Sequence, residues 1–301
     1  PPDSWTHPSK EIAMTLRSRR SFLGQAAGSS FAAWLGLGLV ETQWALAQSG
    51  DSPPAPAPGA TELPDPPAEF PRQATSEVAA VVGAAHTQLD RVRELVTARP
   101  RLANATYDWG FGDWESALGA ASHMGRRDIA EVLIEHGARP DIFAFTLLGE
   151  VDVVRAIVTA NPGIERTAGP HGITLLAHAR TGAKRNDDDA AKVTLEYIAS
   201  LEGADQGQES RTLSPSLQKR YYGEFRFGAG ENQTLEIEKH VNGRLALSVP
   251  GQTTRILHMV GDHTFAPSGA PEVRVVFKLQ NNLAKSLTVH DPLPIVHAVR
   301  F

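Results

Sequence analysis

Between Gln73 and Asp205 one arrangement of residues returns four times, and such a repeat limits the fold more than any isolated motif, because each copy is a unit that cannot bury its apolar face alone. The fullest copy runs from Ser116 to Ala138. Small residues, Ala117, Gly119, Ala120, Ala121 and Ser122, are followed by Gly125, then by Ile129, Val132 and Leu133, and finally by Gly137-Ala138. The small residues let neighbouring units approach, the apolar residues at i, i+3 and i+4 bury one stripe of a helix, and glycine allows the left-handed turn between two helices. An earlier copy passes through Ala84-Ala85-His86, then Val92, Leu95 and Val96, to Pro100-Arg101-Leu102-Ala103-Asn104. A shortened third uses Gly149, Val153, Ala156 and Ile157 before Asn161-Pro162, and a fourth runs from Gly172-Ile173-Thr174-Leu175-Leu176 to Gly203-Ala204-Asp205. Four helix pairs, in a solenoid over residues 72–205, are expected.

This pattern resembles the ankyrin repeat: inner helix, glycine turn, outer helix and Gly-Ala exit are in register. The resemblance implies a helical solenoid that binds a protein partner along one edge. Where the family has Thr-Pro-Leu-His, the best copy reads Ser116-Ala117-Leu118-Gly119, so the hydrogen bonds of that Thr and His are partly lost. An irregular stack is therefore expected, with a loop inserted around Ala183 to Asp189 and Asp187-Asp188-Asp189 capping the helix that starts near Ala190.

From Leu213 the period changes to two. Eight segments alternate apolar and polar residues with β-branched or aromatic content, as strands do: 221–227, 234–240, 244–249, 254–260, 263–266, 273–280, 286–290 and 295–300. Asn242-Gly243 favours a tight type I′ turn, and Asn281-Asn282 supplies another turn-forming pair. Eight antiparallel strands can close into a barrel that removes sticky edges and is either packed solid or holds one small ligand. Tyr222-Gly223-Glu224-Phe225-Arg226-Phe227-Gly228, Gly243-Arg244-Leu245 and Pro250-Gly251-Gln252 resemble the lipocalin-like β-domain attached to serine β-lactamase-like hydrolases. The resemblance implies a barrel fold at 213–301 and little chemistry; by its size such a barrel could hold a small apolar molecule or a peptide. The whole chain is expected to be multidomain α + β.

Residues 1–47 read as an upstream segment and an export signal. After Met14 come a basic start and a Gly- and Ser-diluted apolar stretch to Val40, with Ala45-Leu46-Ala47 as a cleavage site. Ser18-Arg19-Arg20-Ser21-Phe22-Leu23 resembles the twin-arginine motif, whose signal would lie on Arg19, Arg20, Phe22 and Leu23. Cleavage near Ala47 would leave the protein periplasmic or otherwise extracytoplasmic; an uncleaved segment would be the only tie to a membrane. Residues 48–71, rich in Pro and Ala, form an extended spacer.

A formal charge of -5 with dispersed Lys and Arg argues against nucleic acid. With 0 cysteines, disulfides, thiolate metal sites and thiol nucleophiles are excluded. Ser216-Leu217-Gln218-Lys219 spells Ser-x-x-Lys without its companion motifs and reads as a linker turn or short helix. His178, and His263 and His290 beside Asp262 and Asp291, read as hydrogen-bonded structural histidines. No catalytic residue, metal or cofactor is expected. The expected partner surface is the aromatic run between the first two repeats, Tyr107, Trp109, Phe111 and Trp114, together with His123 and His171; large aromatics offer contact area at little entropic cost. The alternative is that the loop docks onto the C-terminal barrel or caps the repeat core. In function, the chain is expected to be an exported interaction module, and the competing expectation is an enzyme or regulatory subunit with its site in the barrel cavity.

Overall fold

A computed structural model describes residues 69–301, so the export motif at Arg19, Arg20, Phe22 and Leu23, the cleavage site and nearly all of the Pro/Ala spacer lie outside the described residues. The described chain is mixed α + β, helices first and then a closed barrel.

Four antiparallel helix pairs occupy the first half: α1 (Thr75–Ala85) with α2 (Leu89–Ala98), α3 (Ala117–His123) with α4 (Arg127–Glu135), α5 (Ile142–Leu148) with α6 (Val151–Ala160), and α7 (Leu175–Asn186) with α8 (Asp189–Ala199). The first member of each pair packs on the first member of the next, and α3 also reaches α7. Small residues permit that approach: in α3 every residue from Ala117 to Ser122 is buried. A side-chain oxygen starts each of four helices by accepting from an otherwise unpartnered backbone N–H: Ser116 from Gly119 at 2.9 Å, Asp141 from Ala144 at 2.9 Å, Thr174 from Ala177 at 3.2 Å and Asp188 from Ala191 at 2.8 Å. Ser116 thus keeps the capping bond expected to be weakened there. Gly149 ends α5 at φ 81, and a Cβ there would lie 2.9 Å from that of Ala190, so both the turn and the neighbouring helix demand glycine.

Two details differ from expectation. Residues 183–186 continue α7, leaving Asp187 at φ 50 and the capping Asp188 as a short turn instead of an inserted loop. In α6 only Val154 is fully buried, while Val153 faces outward; α4 buries Ile129, Ala130, Val132 and Leu133, so the third pair is covered less than the second.

Between the first two pairs the chain forms a small hairpin, β1 (Thr106–Asp108) and β2 (Trp114–Ser116), with Tyr107 opposite Glu115. After a short helix, α9 (Pro215–Gln218), come β3 (Gly223–Arg226), β4 (Thr234–Lys239), β5 (Leu245–Ser248), β6 (Arg255–Gly261), β7 (Thr264–Pro267), β8 (Arg274–Gln280), β9 (Leu283–Asp291) and β10 (Leu293–Arg300). Each pairs antiparallel with the next, and β10 returns to β3 to close the barrel. The type I′ geometry lies at Asn281-Asn282, both at positive φ, joining Gln280 to Leu283. At 240–244 the connection is longer. Only Gly243 is left-handed, and its N–H donates to His240 O at 2.8 Å, a β-turn followed by a glycine bulge.

Alternate strand residues fill the barrel: Phe225, Leu235, Ile237, Leu247, Leu257, Phe265, Val275, Phe277 and Leu287 are buried in one cluster. Phe277 stands edge-on to Tyr221 and Phe265, with centroids at 4.9 and 5.5 Å. Among the described residues no helix is long and apolar enough to cross a membrane.

Candidate functional site

The aromatic hairpin is where the stack and the barrel meet. Gly110, Phe111 and Gly112 are consecutively left-handed, at φ 106, 60 and 76; glycine takes such angles at little cost, and the turn throws Phe111 against the barrel's apolar cluster. Tyr107 and Trp109 instead pack on the stack's core, their rings 4.9 Å apart. Trp114 alone among the four is largely exposed, at 61 %. It lines a cleft of about 420 Å³ together with Asp113, Phe143, Gly169 and Pro170.

Beneath this loop, Glu115 is fully buried. A lone buried carboxylate is costly unless charged or hydrogen-bonding groups surround it, and here four nitrogens do. Trp109 Nε1 donates to Oε2 at 2.6 Å and His123 Nε2 to Oε1 at 2.8 Å. His171 Nε2 lies 3.3 Å from Oε1, and His86 Nε2 lies 3.5 Å from Oε2. His86 follows the last residue of α1 and His123 is the last residue of α3, so the stacking of those helices sets their rings 5.1 Å apart. His171 arrives from the turn ahead of α7, at φ 61.

The second atoms of two rings define their proton positions. His86 Nδ1 donates to the carbonyls of Val82 and Gly83 at 3.1 and 3.2 Å. His171 Nδ1 donates to Asp113 Oδ2 at 2.7 Å, and its backbone N–H donates to Oδ1 at 2.9 Å. In their neutral forms both rings therefore turn an Nε2 lone pair toward Glu115. Acceptor faces acceptor, and only a second proton or a cation reconciles them.

Burial opposes charge on this carboxylate and on the His171 ring, but their hydrogen bonds outweigh it. Glu115 is held below its ordinary pKa by His123 and His171, and His171 is raised by Asp113 and Glu115. Asp113 is also lowered; burial again works the other way, and His171 and then Arg255 overcome it. Arg255, at the start of β6, donates from Nη1 to Asp113 Oδ2 at 2.5 Å and from Nη2 to Gly110 O at 3.4 Å.

One ligand atom each from His86, Glu115, His123 and His171 lie within 4.8 Å of one another. Three imidazoles and a carboxylate are the donor set of zinc and related divalent ions. Of the residues singled out in the sequence, the fold brings Trp109, His123 and His171 into this cluster, Tyr107 beside it, and Phe111 and Trp114 to its outer side. Sequence reading missed His86, Asp113, Glu115 and Arg255. A signal for three of them existed: His86, just past the end of α1, answers to His123 at the end of α3, so stacking of those helices juxtaposes the two. Asp113 immediately precedes β2 and Glu115 is its central residue, a spacing of two that puts side chains on one face of extended backbone.

The other polar motifs have local partners. Asp187 pairs with Lys192 at 2.8 Å and Asp188 with Arg127 at 2.6 Å. Ser216 Oγ meets Ser214 Oγ at 3.1 Å within the short helix and linker turn. His263 turns to Tyr221, Nδ1 to the hydroxyl at 2.8 Å, and buried His178 donates from Nδ1 to Thr174 O at 2.9 Å. The barrel's buried side chains form one apolar cluster, and a cavity of about 320 Å³ is lined by Arg211, Arg244 and Met259 together with the cluster residues Leu245, Leu257 and Phe265. Neither a family model nor a curated protein matches the chain.

Proposed function

We propose that this chain is a metal-binding protein that holds one zinc-class divalent ion on His86, Glu115, His123 and His171, within a helical stack of ankyrin type joined to a lipocalin-like barrel. The observation that carries this reading is the spacing around Glu115. His123 and His171 stand 2.8 and 3.3 Å from Glu115 Oε1 and His86 stands 3.5 Å from the other oxygen, Oε2, separations that bracket the about 3.3–3.4 Å between neighbouring ligands of a tetrahedron with zinc bonds of ~2.0–2.1 Å, and one ligand atom from each of the four residues lies within 4.8 Å of the rest. The ring tautomers agree: Nδ1 of His86 on backbone carbonyls and Nδ1 of His171 on a carboxylate are the outer hydrogen bonds that ligating histidines make. His86 and His171 side chains are 24 % exposed, which leaves an approach for water or a ligand atom to the ion. The bound ion would supply Lewis acidity there. Export, expected from Arg19 and Arg20, belongs to the same reading, since a thiol-free donor set suits an oxidising compartment.

Titration of the chelator-treated full chain with Zn²⁺, followed by calorimetry and elemental analysis, tests this. One ion per chain is expected, with thermal stabilisation that grows with free ion, about 2.7 kcal/mol at a hundred times Kd. H86A and H123A each lose that uptake. No stoichiometric uptake by the wild-type chain sinks the reading.

A partner-binding role for the same stack has its own support in Trp114, held exposed on a two-stranded hairpin at the rim of the 420 Å³ cleft. A periplasmic pull-down with wild type and W114A compares the two; identical captured sets end it.

A further inference from the structure

The metal-binding reading leaves the barrel without a part in the chemistry, because all four proposed ligands come from the helical half. The contacts of Asp113 give it one. We propose that the barrel sets the metal affinity of the stack, with Arg255 as a positioning residue that acts through Asp113 on the His171 ring; this rests on the metal-binding reading.

His171 is a non-glycine residue at φ 61, a conformation that needs support from its surroundings. Asp113 supports it at two points, accepting from the backbone N–H at 2.9 Å and from Nδ1 at 2.7 Å. Together these fix where the ring sits, how it is rotated, and which nitrogen bears the proton. Nε2 is thereby aimed at Glu115 Oε1, 3.3 Å away. A carboxylate behind a ligating imidazole in this way makes the ring a better donor and orients it.

Asp113 in turn is held from the barrel side. Arg255 and Asp113 are 5 % and 3 % exposed as a pair, and the guanidinium's second nitrogen reaches the Gly110 carbonyl in the same loop. Arginine suits this position because its planar fork spans two acceptors at once, which a lysine ammonium does less well. A second barrel element closes on the same carboxylate. Gly269, at φ 78 after β7, comes so near that a Cβ there would stand 2.5 Å from Asp113 Cγ. The carboxylate is therefore gripped by a barrel strand and covered by a barrel turn, and it passes that constraint to the ring. If the barrel shifted, Asp113 would lose its counter-charge and the imidazole its tether, while the four ligand residues stayed in place along the chain.

The test uses full-length R255Q, R255K and D113N beside wild type. Zn²⁺ affinity is read by competition with a chromophoric chelator, Co²⁺ coordination by its visible absorption, and folding by circular dichroism and thermal midpoint. R255Q and D113N are expected to weaken binding about 10- to 100-fold and to change the Co²⁺ spectrum, with R255K recovering part of the loss. A purely structural Arg255 would lower the midpoint yet leave the affinity and the Co²⁺ spectrum of the folded fraction as in wild type, which overturns the proposal. If R255Q does not fold, D113N, nearly isosteric, decides by the same two readings. Absence of ion uptake by wild type refutes the metal-binding reading itself, whereas uptake equal in wild type, R255Q and D113N refutes only the role of the barrel.

Discussion

The stack and the barrel bury their side chains in opposite ways. Barrel strands turn alternate residues into a closed interior, and that interior is occupied by Phe225, Phe265, Phe277 and aliphatic neighbours. The stack is open-ended, its helices short, and its buried set contains a full charge at Glu115 and polar Ser122, Thr146, His178 and Thr194. Closure satisfies every strand edge and leaves a centre best filled by apolar atoms. In the helical half the ends of α1 and α3 bring His86 and His123 together, so polar groups from different helix pairs meet. The barrel's buried cluster is apolar, whereas buried polar and charged groups gather at Asp113 and Glu115, where the hairpin meets Arg255 of the barrel.

Breaking the barrel's apolar centre has the largest expected effect. Phe277→Ala removes a ring that three other aromatic residues contact and should cost about 3–5 kcal/mol, measured by denaturant unfolding. A loss under about 1 kcal/mol would mean the barrel is not packed around this residue. On the stack side, Glu115→Gln keeps the shape but replaces the ionised acceptor of the Trp109 and His123 N–H groups; about 1.5–3 kcal/mol of ion-free stability should go, along with metal uptake. If stability is unchanged and uptake persists, the polar centre is not built around this carboxylate.

Acid sharpens the contrast in the barrel. Burial, and then the nearby Arg244 charge, pushes the His258 pKa down to about 4; its ring accepts from Arg244 at 2.8 Å and lies 2.8 Å from Ser268 Oγ. Unfolded histidine titrates near ~6.5, so between about pH 6.5 and 4 the unfolded state binds the proton first, and stability must fall as pH falls through that window. Partial exposure reduces the effect to about 1 kcal/mol. His258→Asn should flatten that part of the stability–pH curve; an unchanged slope would remove His258 as its source. The smallest effect belongs to Trp114→Ala, which should shift stability by less than about 0.5 kcal/mol, as surface changes do. A larger loss in thermal unfolding would show that the indole is packing and not a free edge.

The folding units were legible from the chain alone, because each rests on local periodicity. Residues at i, i+3 and i+4 define α4, and alternation defines the eight barrel strands. Turn chemistry was only half legible: Asn242-Gly243 and Asn281-Asn282 look alike on paper, but strand register gives the first a longer loop with a glycine bulge and the second the tight turn. Phe111 was readable as an unusual aromatic between glycines, while its choice of the barrel over solvent depended on where the barrel stands.

Little of the polar centre could be read in the same way. Its histidines come from the first, second and fourth helix pairs, its carboxylates from the hairpin between the first two, and Arg255 stands 142 residues from its partner Asp113. The sequence by itself determined four helix pairs, the eight barrel strands and the order in which they follow, but not the hairpin of β1 and β2, since hydrogen-bonding period and apolar spacing act over a few residues. Only the tertiary structure decided that a carboxylate buried under a tryptophan meets three imidazoles and, through Asp113, an arginine of the barrel. Such a meeting depends on the stacking offset of whole helix pairs and on barrel closure, where displacement by a single residue would send each of these side chains elsewhere.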